Sequence, residues 1–443
     1  MPVEHRPVDR RNFLRASAGA ASAALALPAA SYARVPGSNA ILRVGFIGCG
    51  GRAQAHLHLI VKMAMENKGV APVAVCDVWD GIDEEYDHSF GGSTTRRRFS
   101  QGLFPAAAKC GLNPDDRKRV TKDYRRLLDL KEIDAVCIAT PDHWHAKQTL
   151  DAFAAGKDVF VETPLARSAA DAKAVLDAAT AGNRVLTLGV QGLSDPVWRR
   201  AHDAIRGGKI GPVSHVSAGV FRNDIRGQWR FHRVLPQMTA KTVDWDLFLG
   251  HRFEVNGVPV GPAPAQQGFD PTVFAQWKCY RHFSDGLAGD LLTHPVAKLL
   301  AATGCRTPRR VIGSGGLYVE TDGRTVPDVA TIVADFDDCQ WVVTAATTSA
   351  YPLEDVIRGR LGAIKFVAGG FQVIKDDPRG GGRLPTRLEE TIPPTEVVTS
   401  DPPKNETEAL WTNFLDCVRT RNRMTFVPAD LAASAATVTA GAG

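Results

Sequence analysis

Asp290 and His294 stand four residues apart in the run GDLLTH, residues 289 to 294. On an α-helix that spacing puts both side chains on one face. Oxidising a secondary alcohol by hydride transfer requires removal of the hydroxyl proton, and an imidazole held by a carboxylate has a suitable proton affinity. His294 is therefore the candidate base and Asp290 the group that orients it. The same pair also reads as a helix-start Asp and a buried, hydrogen-bonded His. Pro295 has no N–H to return to Leu291, so a helix must begin near His294 or bend there. A place for the hydride acceptor lies far upstream, where Gly48, Gly50 and Ala53 fit G-x-G-x-x-A. Glycine there permits a tight turn and lets phosphate approach the backbone, while the small third residue packs helix on strand. Asp77 ends the next apolar run, PVAVCD. A carboxylate at that point accepts hydrogen bonds from the adenosine ribose hydroxyls of NAD and repels a 2′-phosphate, so NAD is expected before NADP.

Alternating strands and helices must position these groups. Ile41 to Ile47 is rich in β-branched and aromatic residues and stops at Gly48, which suits a buried parallel strand. The pattern repeats: strand Pro72–Asp77, a short helix Asp123–Leu130 capped by Asp123, and strand Asp134–Thr140 ended by Pro141. Helix Asp142–Ala155 and turn Gly156 lead into strand Val159–Glu162. Helix Ser168–Ala181 follows, with Ser168 and Asp171 as a capping box, then strand Arg184–Val190. Repeated units of this length predict an α/β fold with a doubly wound parallel sheet. From Gln191 the pattern changes to a helix, Ser194–Gly207, and a strand, Pro212–Phe221. Strands near Arg310–Glu320, Val329–Phe336 and Trp341–Thr348, the last two joined at Asp337-Asp338, predict a largely antiparallel sheet. Val255–Gly268 and Asp376–Pro385 read as long loops, and Arg96-Arg97-Arg98 as a solvated face. Asn405 with Glu408 caps a helix with an apolar face of Trp411, Phe414, Leu415 and Val418, and Pro428–Ala442 reads as a further helix.

The 443 residues, 44% hydrophobic and 23% charged, suffice for two globular domains. The net charge of +5 includes four arginines and two acids within residues 1–33, and the +3 left without them argues against nucleic acid. In residues 9–15, DRRNFLR, adjacent Arg10 and Arg11 precede an alanine-rich stretch and the small-x-small site Ser31-Tyr32-Ala33. Residues 1–33 are thus expected to be a twin-arginine signal peptide, giving a periplasmic or extracytoplasmic protein exported already folded. That stretch is too short and too weakly apolar to span a bilayer. Cys49, Cys76 and Cys137 lie in apolar runs or in the glycine turn, which favours buried thiols, and no CxxC or His/Cys spacing points to a metal.

Six segments in order, VGFIGCGGR (44–52), CDV (76–78), IDAVCIATPDHWHA (133–146), GKDVFVETPLA (156–166), DWDLFLG (244–250) and GDLLTH (289–294), carry a family likeness. The chain resembles the glucose-fructose oxidoreductase and inositol dehydrogenase family (Gfo/Idh/MocA), in particular its twin-arginine-exported bacterial members. The resemblance implies an NAD(P)-binding Rossmann domain over 41–190. It also implies a C-terminal α/β domain over 191–443 that binds substrate and whose open sheet makes a homo-oligomer. By position it assigns Gly48, Gly50, Gly51, Arg52, Asp77, Thr140, Pro141, His145 and Glu162 to the cofactor, with Thr140 and Pro141 near the nicotinamide and Glu162 reaching its ribose. For His143 and His145, helix capping stands beside ligand contact.

The chain departs from the family at residue 163. The family's Glu-Lys-Pro, whose lysine polarises or deprotonates the reacting hydroxyl, is here Glu162-Thr163-Pro164. Thr163 offers one hydrogen bond but no cation, which leaves it a lesser catalytic contact. Relatives also carry an Asp after the histidine, where this chain has Ala297 and then Lys298. Trp245, Trp277, Tyr280, Arg281 and His282 would face the cleft in the family layout, with plain packing the alternative for the tryptophans. The expected activity is an exported, NAD-dependent oxidoreductase moving hydride between nicotinamide and a ring carbon of a sugar, sugar derivative or polyol. Loss of the lysine raises a second reading, an NAD-dependent glycoside hydrolase working by transient oxidation and elimination. A catalytically silent NAD-fold binding protein is the third.

Overall fold

The computed structural model describes residues 41–90, 93–376 and 396–441. The signal-peptide reading of residues 1–33 and nearly all of the loop expected at 376–385 lie outside them.

The N-terminal half is built on parallel strands β1 (Leu42–Ile47) and β2 (Val70–Cys76), with β3 (Ile82–Phe90) and β4 (Ser93–Gln101) set apart as a hairpin. The short β5 (Val120–Thr121) follows, then β6 (Ala135–Ile138), β7 (Asp158–Val161) and β8 (Leu186–Leu188). The six parallel strands lie in the order β5-β2-β1-β6-β7-β8, the doubly wound arrangement with its reversal between β1 and β6. The predicted β-branched runs are its buried strands: all four residues of β6 and of β7 are buried. Local caps form where the sequence places them. Asp123 accepts from Arg125 N, Ser168 from Asp171 N and Asn405 from Glu408 N.

The second half is an eight-stranded sheet. It comprises β9 (Val213–Phe221), β12 (Arg310–Gly316), β13 (Val329–Asp335) and β14 (Gln340–Ala346), while β10 (Glu254–Val255) and β11 (Val258–Pro259) pair separately at the start of the loop expected at 255–268. Four strands the sequence reading did not identify complete the sheet: β15 (Val356–Gly359), β16 (Gly362–Val367), β17 (Gly370–Lys375) and β18 (Glu396–Thr399). The order is β12-β13-β14-β9-β15-β16-β17-β18, antiparallel apart from the β14–β9 pair. One face buries Val216, Ala218, Ile332, Trp341 and Val343, and the other carries the half-exposed Ser217, Thr331, Val333, Val342 and Thr344.

The helix Glu406–Thr420 returns to the first sheet. Trp411 stacks on Phe160 of β7 with ring centroids 4.3 Å apart and 9° between planes, and Leu188 N donates to Val427 O at 3.3 Å. A division at residue 190 puts these helices with the second domain by sequence, yet in space they cover the Rossmann sheet. The arginine run also has a structure of its own: on β4, Arg98 and Arg96 pair with Asp83 and Glu85 of β3 at 2.6 and 2.8 Å.

Candidate active site

At the reversal point the chain leaves β1 through Gly48, whose φ of +84° and whose missing Cβ, 2.7 Å from the Ala139 carbonyl, admit no side chain. Gly50 precedes the Gly51–Met65 helix without a side-chain cap, and no acidic residue occupies the first turn. A Cβ built on Gly50 meets nothing within 4 Å. The helix therefore opens on free space with its first N–H groups unspent, which fits a pyrophosphate. Ala53, the third small position, is fully buried.

Asp77 borders this space and accepts from Cys49 N at 2.6 Å and Trp79 N at 2.8 Å. Burial pushes its carboxyl up to about 6 against those two bonds, so it is mostly ionised at neutral pH and purely an acceptor, as ribose hydroxyls require. Gly48, Gly50, Gly51, Arg52, Asp77, Thr140 and Pro141 all line one cleft, which continues along Trp144, Phe248, Trp277 and Lys278.

Glu162 lies behind the cleft residue Arg52 in a fixed network. Its Oε1 accepts from Arg52 Nε at 2.9 Å and from His56 Nε2 at 2.7 Å. Trp411 Nε1 donates to His56 Nδ1 at 2.9 Å, which places the imidazole proton that faces Glu162 on Nε2. Burial pushes Glu162 up, but the His56 bond and the Arg52 charge outweigh it and hold the carboxyl well below the usual range. Sequence reasoning did not find His56 or Trp411, whose separation of 355 residues leaves no local signal.

His145 is buried, with Nδ1 2.7 Å from Pro164 O and Nε2 2.8 Å from Thr140 O, and it ties the Thr140 and Pro164 segments together away from the cleft lining. His143 is buried beside Phe248 O at 3.0 Å, and burial drives it down to about 3. Thr163 is buried. Of the five loop residues, Trp277 lines the cleft. Trp245 stacks on Phe248 at 4.7 Å, Tyr280 hydrogen-bonds Arg230 at 3.2 Å, Arg281 N donates to Thr325 Oγ1, and the His282 carbonyl accepts from Arg167.

The expected Asp290–His294 hydrogen bond is not made. Leu287–Leu292 is a π-helix and Thr293–Thr303 an α-helix, so the two residues span a change of helical pitch, and their charges still act on each other without a hydrogen bond. The change falls where Pro295 has no N–H for Leu291. Asp290 instead accepts from Trp229 Nε1 at 3.0 Å and from Lys278 Nζ. His294 is half-buried. Burial lowers its proton affinity against the charges of Asp290 and Glu162, leaving a neutral imidazole able to accept a proton. Lys298, one turn on, lies with Nζ 5.5 Å from the Trp198 ring centroid.

Residues 42–190 match the family described as oxidoreductase family, NAD-binding Rossmann fold (GFO_IDH_MocA). That region belongs to the Gfo/Idh/MocA oxidoreductases and is an NAD-binding domain. Among curated relatives, the α-N-acetylgalactosaminidase of Shewanella oneidensis is 30% identical over 190 residues, which span 39% of this chain and 37% of that protein. The match thus reaches well under half of the relative's length. Among solved structures, levoglucosan dehydrogenase in complex with NADH aligns over 90% of this chain and 95% of its own with a TM-score of 0.58 at 18% identity. Aldose-aldose oxidoreductase from Caulobacter crescentus, complexed with glycerol, aligns over 90% and 95% with a TM-score of 0.57 at 17% identity. At these identities the likeness is one of fold.

Proposed function

We propose that this protein oxidises or reduces a ring carbon of a sugar, sugar derivative or cyclic polyol, with NAD held in the glycine cradle and His294 as the base. The observation that carries this reading is one continuous cleft, running from the open N-terminus beyond Gly50 to Lys278, whose ammonium pairs with Asp290 outside the lining. The hydroxyl proton passes to His294 as the carbon gives up hydride, and the NAD nicotinamide supplies the hydride acceptor. Glu162 holds Arg52 at the cradle, and Asp77 takes the adenosine ribose. Trp277 offers an aromatic face of the kind sugar rings stack on.

Purified protein mixed with NAD and a panel of aldoses and cyclic polyols accumulates reduced nicotinamide on this reading, and His294→Ala abolishes the signal. No reduction with any member of the panel overturns it.

A second reading has its own support in the relative that is an α-N-acetylgalactosaminidase. Here oxidation is transient, the aglycone is eliminated and the sugar is reduced again, so a nitrophenyl glycoside is cleaved without net cofactor reduction. A sample that copurifies with NAD yet gives neither signal favours the silent binding protein. Export by the twin-arginine route remains our proposal for residues 1–33, tested by fractionating cells that express Arg10→Lys/Arg11→Lys. The half-exposed face of the eight-stranded sheet, with Val333 and Val342, is the surface we propose for a homo-oligomer, read by light scattering.

A further inference from the structure

Hydride departure from an alcohol carbon proceeds most readily when the oxygen carries negative charge, and a fixed cation at that oxygen stabilises the transition state. Thr163 brings no charge to the site. A cation does arrive from the other half of the molecule. Lys278 follows Trp277 in the short 3-10 helix Trp277–Cys279, after the Pro271–Ala275 helix, and lines the same cleft as Thr140 and Pro141. Its ammonium pairs with Asp290 and lies 5.4 Å from the Trp277 ring centroid. Asp290 is fixed in turn by the Trp229 indole.

The Asp290 turn packs directly against the segment that carries Thr163: a Cβ on Gly289 would lie 3.2 Å from Pro164 Cγ and 3.7 Å from Asp142 Oδ2. Asp142 Oδ1 is buried with no hydrogen-bond partner. An ammonium has three N–H donors, and among the described residues Lys278 gives one to the protein, at Asp290. Two donors thus remain for a ligand. Burial disfavours the charged form, but the carboxylates of Asp290, Asp142 and Glu162 outweigh it, and Lys278 stays protonated.

We propose that Lys278 is the catalytic cation of this site, its ammonium binding the substrate oxygen that becomes a carbonyl. This rests on the oxidoreductase reading above. One O–H and one C–H bond break: the proton goes to His294, the hydride with its electron pair goes to NAD⁺, and the carbon, oxidised by two electrons, gains the C=O bond. Lys278 keeps all its protons. The charge that Thr163 does not carry is thus supplied from the segment after the Pro271–Ala275 helix.

The test compares wild type, Lys278→Gln and the double variant Lys278→Gln/Thr163→Lys for NADH affinity and for NAD⁺ reduction with the sugar panel. Gln still hydrogen-bonds Asp290, so NADH affinity stays within about threefold while kcat falls about 100-fold. The double variant, which returns a cation at residue 163, recovers at least tenfold of that loss. Lys278→Ala with added ethylammonium chloride gives a second readout: saturable recovery of kcat, which a structural role would not produce. An active wild type beside a Lys278→Gln variant with kcat within threefold overturns the proposal and leaves the oxidoreductase reading intact. A wild type that binds NADH but reduces NAD⁺ with no sugar overturns both.

Discussion

Two glycines two residues apart do different work, and substitution separates them. At Gly48 a methyl group meets the Ala139 backbone and a positive φ, so Gly48→Ala damages the fold itself. At Gly50 φ is −73° and the methyl enters empty space. Gly50→Ala therefore leaves the melting temperature unchanged but takes up the room a pyrophosphate needs, and NADH affinity falls at least about tenfold by titration. Asp142 gives a prediction in pH. Burial raises its carboxyl from 3.8 to about 7, so between those values the folded chain holds a proton that the unfolded chain releases. That contribution to stability is complete at low pH and is lost as pH rises towards 7. Asp142→Asn keeps an acceptor for Ser284 and removes the titration. It raises Tm by about 2–4 °C at pH 8 and by almost nothing at pH 4, read in thermal scans. The cradle residues were legible because their meaning is local: a strand, a turn and a helix start within a dozen positions. The partners of Glu162 and Asp290 were not, since His56, itself held by Trp411, meets Glu162, and Trp229 and Lys278 meet Asp290, only after folding. Lys278 lay in a loop already singled out for its aromatics, and a lysine between Trp277 and Tyr280 was the available signal.

Helices and strands announced themselves unevenly, for a physical reason. Elements that bury one face or carry a side-chain cap leave a periodic trace, as in the Glu406–Thr420 helix with Asn405 before it and Trp411, Phe414, Leu415 and Val418 buried along it. The hairpin β3–β4 leaves none, because its strands are joined by charge: Asp83 with Arg98 and Glu85 with Arg96 read as solvated runs unless the two strands are opposed. Spacing along one helix places Asp290 and His294 near each other, but Trp229 and Lys278 from distant segments take the hydrogen bonds of the carboxylate, and no local spacing reveals them. The Glu406–Thr420 helix also locks the site from behind, through the Trp411 indole on His56. Trp411→Phe keeps the stack on Phe160 but leaves a buried ring nitrogen without its donor. Stability falls by about 1–3 kcal/mol in denaturant titration, with Arg52 less firmly held at the cradle.

At the scale of the whole molecule, the first sheet supplies the cradle and the loops between the sheets bring the chemistry to it. Trp277 and Lys278 reach the cleft that Gly50 opens, while the π-turn carrying Asp290 packs against Pro164. The doubly wound parallel sheet and the largely antiparallel second sheet follow from strand type and spacing, but β15 to β18 escape a reading based on long apolar runs. β15 is only four residues, and no more than half of the residues of β16 and of β17 are buried. All of this rests on a dinucleotide lying over the Gly51–Met65 helix. The most direct measurement is the nicotinamide dinucleotide bound per chain at saturation, summing what denaturation releases and what NADH titration adds. The account predicts one per chain, reduced in occupancy by Gly50→Ala at equal NADH. A correctly folded sample that holds none and takes up none contradicts it.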